Sequence, residues 1–252
     1  MINKIDEITK IVKAGGEIAL KYFGNVEREE KDIGNLVTIA DREVEKFLKS
    51  EISKLFPDDG FIGEEEGFKP GISNRIWIID PIDGTADFAN KLPSWGSSLA
   101  LFVDGKPELG IVYLPVVNKF FKAFKGKGSF CNDQAIRIRE GKFDPGNFYA
   151  KNAGAHLQIS TDLNLRVVTL PCALSPCAVA EGAVLGSVML PCYIWDYAAG
   201  LLIAKEAGAS YRYLSGKEFD FSSLMDGSSA LEFLLCGSKS FIEYAEKHVS
   251  LK

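Results

Sequence analysis

Histidine is scarce in this sequence: His156 and His248 are the only two among 252 residues. A histidine-rich metal site or a histidine-based nucleophilic triad is therefore hard to build. The five cysteines, Cys131, Cys172, Cys177, Cys192 and Cys236, are odd in number and form no C-x-x-C pair. That argues against a disulfide framework or a zinc ribbon, and reduced thiols in a cytoplasmic protein fit better. There is no basic block, and the net charge of -5 makes the chain a poor partner for a nucleic-acid backbone. A small anion is still admissible, because a local cluster of cations can reverse the local field. The most apolar stretch, Val167 to Ala204, is broken by Pro171, Pro176, Glu181, Pro191 and Asp196. No uninterrupted apolar run reaches the roughly 18 residues that would span a bilayer, and the opening MINKIDEITK has no apolar core of the signal-peptide type. The expectation is a soluble, cytoplasmic protein with no membrane or nucleic-acid partner. Its chemistry must rest on carboxylates, hydroxyls and lysines.

What is present is a chain with 46% hydrophobic and 25% charged residues, enough for one large domain or two closely packed halves. We expect a single unit over 1–252, with soft halves 1–145 and 146–252 meeting near Gly141 to Asn147. Ile5, Ile8, Val12, Ala19 and Tyr22 fall at helical spacing, as do Val44, Phe47, Leu48, Ile52 and Leu55. Glu27 to Asn35 between them predicts a loop or loose hairpin. Ile76 to Ile79, Leu99 to Val103, Gly110 to Tyr113 and Lys119 to Phe124 predict strands, with an Asp104-Gly105 hairpin turn. In the second half, strands are expected at Phe148 to Lys151, Arg166 to Thr169, Val184 to Leu190 and Leu231 to Cys236. Helices are expected at Leu174 to Gly182, Trp195 to Ala207 and Ser238 to His248. Mixed strands and helices in both halves point to stacked α and β layers.

The strongest chemical signal is Asp80-Pro81-Ile82-Asp83-Gly84-Thr85 at the end of the buried run Ile76 to Ile79. A strand end places two carboxylates rigidly on one side of a turn, where their oxygens can share hard divalent cations. Gly84 lets backbone approach an anion closely, and a helix beginning at Thr85 would aim free N–H groups at a phosphate. The bland alternative is an ordinary turn, since Asp-Pro and Asp-Gly are common turn dipeptides. Glu64 and Glu65 follow the short apolar element Phe61-Ile62, and with Glu66 could be no more than an acidic loop. Asp41 near the start of the second helix, and Asp196 at the start of the Trp195 helix, could merely stabilise the helix dipole or act as N-caps.

Taken together, the order Leu36-Val37-Thr38 with Asp41, Gly63-Glu64-Glu65, Asp80 to Thr85, and Trp195-Asp196 followed by Ala198-Ala199-Gly200 closely resembles the inositol monophosphatase family. That family belongs to a lithium-sensitive, Mg²⁺-dependent phosphatase superfamily. The resemblance implies an α+β fold, a layered α-β-α-β-α sandwich, and hydrolysis of a phosphate monoester of a small polyol or sugar. It implies Glu64, Asp80, Asp83, Asp196 and the carbonyl of Ile82 as ligands for two or three Mg²⁺ ions. It further implies Asp41 and Thr85, with Glu64, as the groups acting on the attacking water. Asp83, Gly84, Thr85 and Asp196 are implied as phosphate or substrate contacts, Glu65 as a supporting residue, and a homodimer as the assembly. Fructose-1,6-bisphosphatase, 3'-phosphoadenosine phosphatase and histidinol-phosphatase activities are alternatives, as is a catalytically silent binding or regulatory relative.

The chain departs from the family at the substrate end. Thr169-Leu170-Pro171-Cys172 stands where a Gly-Ser pair is usual, and Met189 where a glutamate binds inositol hydroxyls. An apolar side chain there predicts weakened polyol discrimination. Asp87 stands where Asn is usual and reads as a first-turn helix aspartate. Tyr193 and Trp195 read as core aromatics more readily than as a pocket rim, and Lys31 as a solvated loop lysine.

Overall fold

The computed structural model describes residues 4–25, 29–32, 35–152 and 155–252. Its helices are α1 (Ile5–Tyr22), α2 (Ile39–Leu55), α3 (Thr85–Ala89), α4 (Ala155–Gln158), α5 (Leu174–Ala180), α6 (Ile194–Glu206) and α7 (Lys239–His248). α1 buries Ile8, Val12 and Ala19, the stripe its sequence spacing predicts, and carries Asp6 and Glu7 in its first turn, where the helix dipole favours acid. α2 buries Val44, Leu48 and Ile52 against it. The two helices lie close on the sheet beneath. A Cβ on Gly16 would come within 2.6 Å of the Tyr113 ring.

That sheet has eight strands. Their spatial order is Gln134–Ile136, Gly128–Cys131, Lys119–Phe124, Lys106–Leu114, Gly96–Val103, Arg75–Asp83, Gly60–Gly63 and Gly67–Lys69. Neighbours run antiparallel except Gly60–Gly63 and Arg75–Asp83, which are parallel. A second sheet of five strands runs Arg166–Thr169, Phe148–Lys151, Gly186–Met189, Leu234–Gly237 and Ser210–Tyr213. α1 and α2 cover one face of the larger sheet, α5 and α6 lie between the sheets, and α7 covers the outer face of the smaller one. This is the expected five-layer α+β arrangement. α6 shows why a layered fold needs a helix that is apolar nearly all round. Its Ile194 and Tyr197 to Ala204 are all buried, because it meets a sheet on either side.

Lys119–Phe124, Phe148–Lys151 and Arg166–Thr169 begin and end where the sequence places them. Other expected elements are shorter, longer or shifted. The expected helix to Gly182 stops at Ala180, the strand over Val184 to Leu190 narrows to Gly186–Met189, and the strand from Leu231 begins only at Leu234. The strand at Ile76 instead extends to Asp83. Asp80 pairs with Ser98 and Asp83 with Gly96, so Pro81 and Ile82 stand opposite Ser97 alone and the ladder continues across a bulge. The strands Gly128–Cys131, Gln134–Ile136 and Ser210–Tyr213 were not anticipated. Two of them are sheet edges, where half of each strand faces solvent and the apolar signal is weak. Of the expected loop or hairpin at 27–35, Glu29–Asp32 pairs antiparallel with Asn35–Val37. Residues 26–28 and 33–34, and the side chain of Lys31, lie outside the described residues.

Candidate active site

The site grows from the parallel strand pair. Gly63 stands opposite Ile79, and the Glu64 N–H donates to the Ile79 carbonyl at 3.2 Å. Glu64 therefore follows the carboxyl end of its strand directly beside Asp80, which is still within its own strand, the two strands pointing the same way. The bulge then turns the chain. Pro81 has no N–H to lose from the ladder, and its carbonyl accepts from Ser97 Oγ at 2.7 Å. Asp83 follows, and Gly84 takes a left-handed conformation (φ 89°). A Cβ on Gly84 would lie 2.7 Å from Pro171 Cγ and 3.1 Å from the Ser94 carbonyl, so glycine is required twice over. α3 begins at Thr85, and its first N–H groups have no carbonyl four residues back to bond. Asp87, in that first turn, accepts from Ser94 Oγ at 2.7 Å.

Asp41 and Asp196 reach the site from elsewhere by one shared device. Each is the third residue of its helix, not the N-cap, and each turns Oδ2 back to its own helix start. Asp41 Oδ2 accepts from Thr38 N at 2.8 Å and Thr38 Oγ1 at 2.6 Å. Asp196 Oδ2 accepts from Tyr193 N at 2.9 Å. The dipole-stabilising reading of both residues is thus correct and incomplete, since the second oxygen of each remains for other work. Asp41 Oδ1 accepts from Thr85 Oγ1 at 3.2 Å, which links the start of α2 to the start of α3. Thr85 Oγ1 also lies 3.1 Å from the Ile82 carbonyl, and its single proton serves one acceptor at a time.

Asp83 is held by α5. The N–H groups of Cys172, Ala173 and Leu174 donate to its two oxygens at 3.1, 2.9 and 3.2 Å. The Leu170–Cys172 departure in the sequence is therefore part of the cradle for an acid, built from backbone that side-chain identity does not reveal.

Oxygens of Asp80, Asp83 and Asp196 all lie within 4.8 Å of one another. Asp80 and Asp83 are 2% and 4% exposed, and Asp80 Oδ1 is buried without a hydrogen-bond partner. Burial and then the charge of Glu64 push the Asp80 pKa well above its usual range, with Asp83, Asp196 and Asp41 adding to the rise. Asp83 is raised by burial and by Asp196 against the pull of its three N–H donors. Asp196 rises to about 6 through burial, opposed by the Tyr193 N–H. Asp41 also rises to about 6, again mainly through burial, with the Thr38 bonds opposing. Glu64 stands outside the close trio, although its charge bears directly on Asp80.

Two residues the sequence reading passed over fix the Glu64 turn. Buried Glu45 of α2 accepts the N–H of Glu65 at 2.8 Å and of Glu66 at 2.9 Å, and Lys49 bridges Glu45 at 2.7 Å to Glu66 at 3.2 Å. The available signal was a charged i,i+4 pair directly beside the apolar stripe Val44–Leu48. Met189 is fully buried in the core between the sheets, so it brings no hydroxyl acceptor to the site from this position. Tyr193 and Trp195 are corrected. Tyr193 is 43% exposed and stacks on half-buried Trp195, with ring centroids 4.7 Å apart.

The donor set suits a hard cation. It is all oxygen, largely buried, mutually repelling, and includes one oxygen that nothing in the protein satisfies. A fold of two sheets and three helical layers around such a cluster defines a class of acid-lined hydrolase sites, and comparison with known proteins narrows the class. Residues 3–232 match the sequence pattern of the inositol monophosphatase family. The chain is 33% identical over 261 residues to a fructose-1,6-bisphosphatase/inositol-1-monophosphatase of Aquifex aeolicus, covering 97% of this chain and 98% of that one. It is 31% identical over 240 residues to inositol monophosphatase 1 of Homo sapiens, covering 87% and 86%. The solved structure of a Thermotoga maritima IMPase superposes with a TM-score of 0.85 at 30% identity, covering 98% of this chain and 96% of that one. This chain belongs to the inositol monophosphatase family.

Proposed function

We propose that this protein is a Mg²⁺-dependent phosphoric monoester hydrolase acting on a small polyol or sugar phosphate. The observation that carries the reading is the partnerless Asp80 Oδ1 within the Asp80–Asp83–Asp196 cluster, whose carboxylates repel one another until a cation joins them. Glu64, Asp80, Asp83, Asp196 and the Ile82 carbonyl are the groups that would hold two or three ions. When bound, such ions lower the pKa of water and neutralise phosphoryl oxygens.

The chain's own groups supply the rest. Thr85 Oγ1 donates to Asp41 Oδ1, which leaves its lone pairs to accept a proton from the attacking water. Asp41, raised to about 6 by burial, is basic enough to draw that proton on near neutral pH. In this reading the first-turn N–H groups of α3, from Thr85 onward, and the backbone of Gly84 would receive phosphoryl oxygens. The Tyr193–Trp195 stack beside Asp196 offers a flat apolar face to a ring-shaped alcohol. The whole chain works as one unit in this reading. The 1–145 half supplies the metal and phosphate groups, and the 146–252 half supplies Asp196 and the substrate rim. A homodimer, as the family resemblance implies, and a cytoplasmic setting, as the unpaired cysteines suggest, complete the proposal; among the described residues no helix is long and apolar enough to cross a membrane.

The test is phosphate release with Mg²⁺ from inositol 1-phosphate, fructose 1,6-bisphosphate, histidinol phosphate and 3'-phosphoadenosine 5'-phosphate. Release from at least one is expected, abolished by chelator and by Asp80→Asn. Release that persists in Asp80→Asn at the wild-type rate would overturn the assignment, and release from none would favour a silent binding relative.

A further inference from the structure

Beside the all-oxygen cluster lies a second donor set that the phosphatase reading does not use. Cys172, just before α5, and Cys192, just before α6, are separated by 20 residues, a spacing that matches no sequence motif. The fold brings their sulfurs to 3.0 Å. Sulfurs of both cysteines and an oxygen of Asp196 lie within 4.8 Å of one another. We propose that Cys172, Cys192 and Asp196 form a site for a thiophilic divalent cation of the Zn²⁺ class, and that filling it withdraws Asp196 from the Asp80–Asp83–Asp196 cluster.

Bond lengths support the geometry. Two Zn–S bonds of about 2.3 Å at a tetrahedral angle set the sulfurs roughly 3.8 Å apart, so this pair has only to part by somewhat less than an ångström. Asp196 supplies a third ligand, and the half-buried setting of all three leaves a fourth position for water. Two thiolates and a carboxylate are a softer set than the all-oxygen trio next door, so the two sites sort cations by type. A disulfide is the rival use of the same pair. It would require the sulfurs to close to about 2.05 Å, would use two of the three donors, and would leave the acid charge of Asp83 and Asp196 as it stands. A cation uses all three donors and meets that charge. Each thiol gives its proton to solvent as the metal binds.

The Cys172 and Cys192 environments are also held firmly. The Cys172 N–H donates to Asp83 at 3.1 Å, and the Cys192 N–H donates to Tyr197 Oη at 2.9 Å. Ligand backbones anchored in this way lose little entropy on binding. Because Asp196 stands in both sets, Zn²⁺ is expected to inhibit Mg²⁺-supported hydrolysis; that part rests on the function proposed above, whereas metal uptake does not.

The experiment is a Co²⁺ titration of the reduced full-length chain, read by absorption. A thiolate-to-cobalt charge-transfer band that saturates at one equivalent and is displaced by Zn²⁺ is expected. The band should vanish in Cys192→Ser and persist in Cys131→Ser, with Cys172→Ser as the second variant if the first does not fold. In the activity assay, the Zn²⁺ concentration giving half inhibition should rise at least roughly tenfold in Cys192→Ser, measured against that variant's own Mg²⁺-supported rate. Cobalt uptake with no charge-transfer band, a band that survives Cys192→Ser, or a reduced protein that binds no Co²⁺ while the air-oxidised one carries a Cys172–Cys192 disulfide would each overturn the site. If Mg²⁺ supports no hydrolysis at all, the functional reading fails while the cobalt spectrum still decides this one.

Discussion

At the scale of single residues, the site depends on side chains with two tasks. Asp41 and Asp196 each spend one oxygen on their own helix start and keep the other for the cleft. Their helix-start role is readable from position, whereas the partner of the free oxygen depends on tertiary approach. The Asp80 to Thr85 motif was legible because a buried strand, a proline-tolerant bulge and a glycine turn are local features. Tyr193 was misjudged as core because which way a side chain faces at the start of a helix depends on the neighbouring layer. Asp41→Asn and Thr85→Val should each lower kcat by roughly 10²–10⁴-fold with little change in KM, as measured by steady-state kinetics in saturating Mg²⁺. A KM effect with intact kcat would place the pair in substrate binding. Gly84→Ala introduces a Cβ 2.7 Å from Pro171 Cγ at a φ of 89°. It should both destabilise the fold and reduce turnover, seen in thermal unfolding and in the same assay.

At the scale of elements, the parallel strand pair and α2 act together. The strand ends set Glu64 beside Asp80, and Glu45 of α2 grips the turn that follows through two N–H groups and Lys49. Glu45→Ala would remove the shorter of the two ion pairs of the largely buried Lys49 ammonium, leaving it the more exposed Glu66 alone, and would take the acceptor from two amides. Loss of one partner from such a pair costs about 3–5 kcal/mol, and denaturant unfolding should show a decrease of that order. A Mg²⁺ affinity weakened beyond what the lost stability explains would show that the turn also sets Glu64. A cost below about 1 kcal/mol would mean that solvent reaches the pair. The long helices and central strands were legible because one buried face repeats at a fixed period. The edge strands Gln134–Ile136 and Ser210–Tyr213 were not, because partial exposure erases that period.

At the scale of the whole molecule, charge crowded between two sheets ties stability to cations and protons. Burial and neighbouring carboxylates raise Asp80 and Asp83 well above, and Asp196 to about 6, against an unfolded value of about 3.9. The folded Mg²⁺-free chain therefore binds more protons than the unfolded one. Stability from this cluster is fully present below about pH 4 and is lost as pH rises, through about 6 for Asp196 and higher still for Asp80 and Asp83. Mg²⁺ binding offsets that loss, so calorimetry should find a larger Mg²⁺-induced rise in Tm near pH 7.5 than near pH 5. Equal rises at both would show that the ion does not compete with those protons. The three amides at the mouth of α5 carry a further consequence. Their hydrogens are committed across the chain to Asp83, in the larger sheet. Hydrogen exchange at Cys172, Ala173 and Leu174 would then record not local fraying but the parting of one half of the chain from the other, making this latch a native clock for that separation.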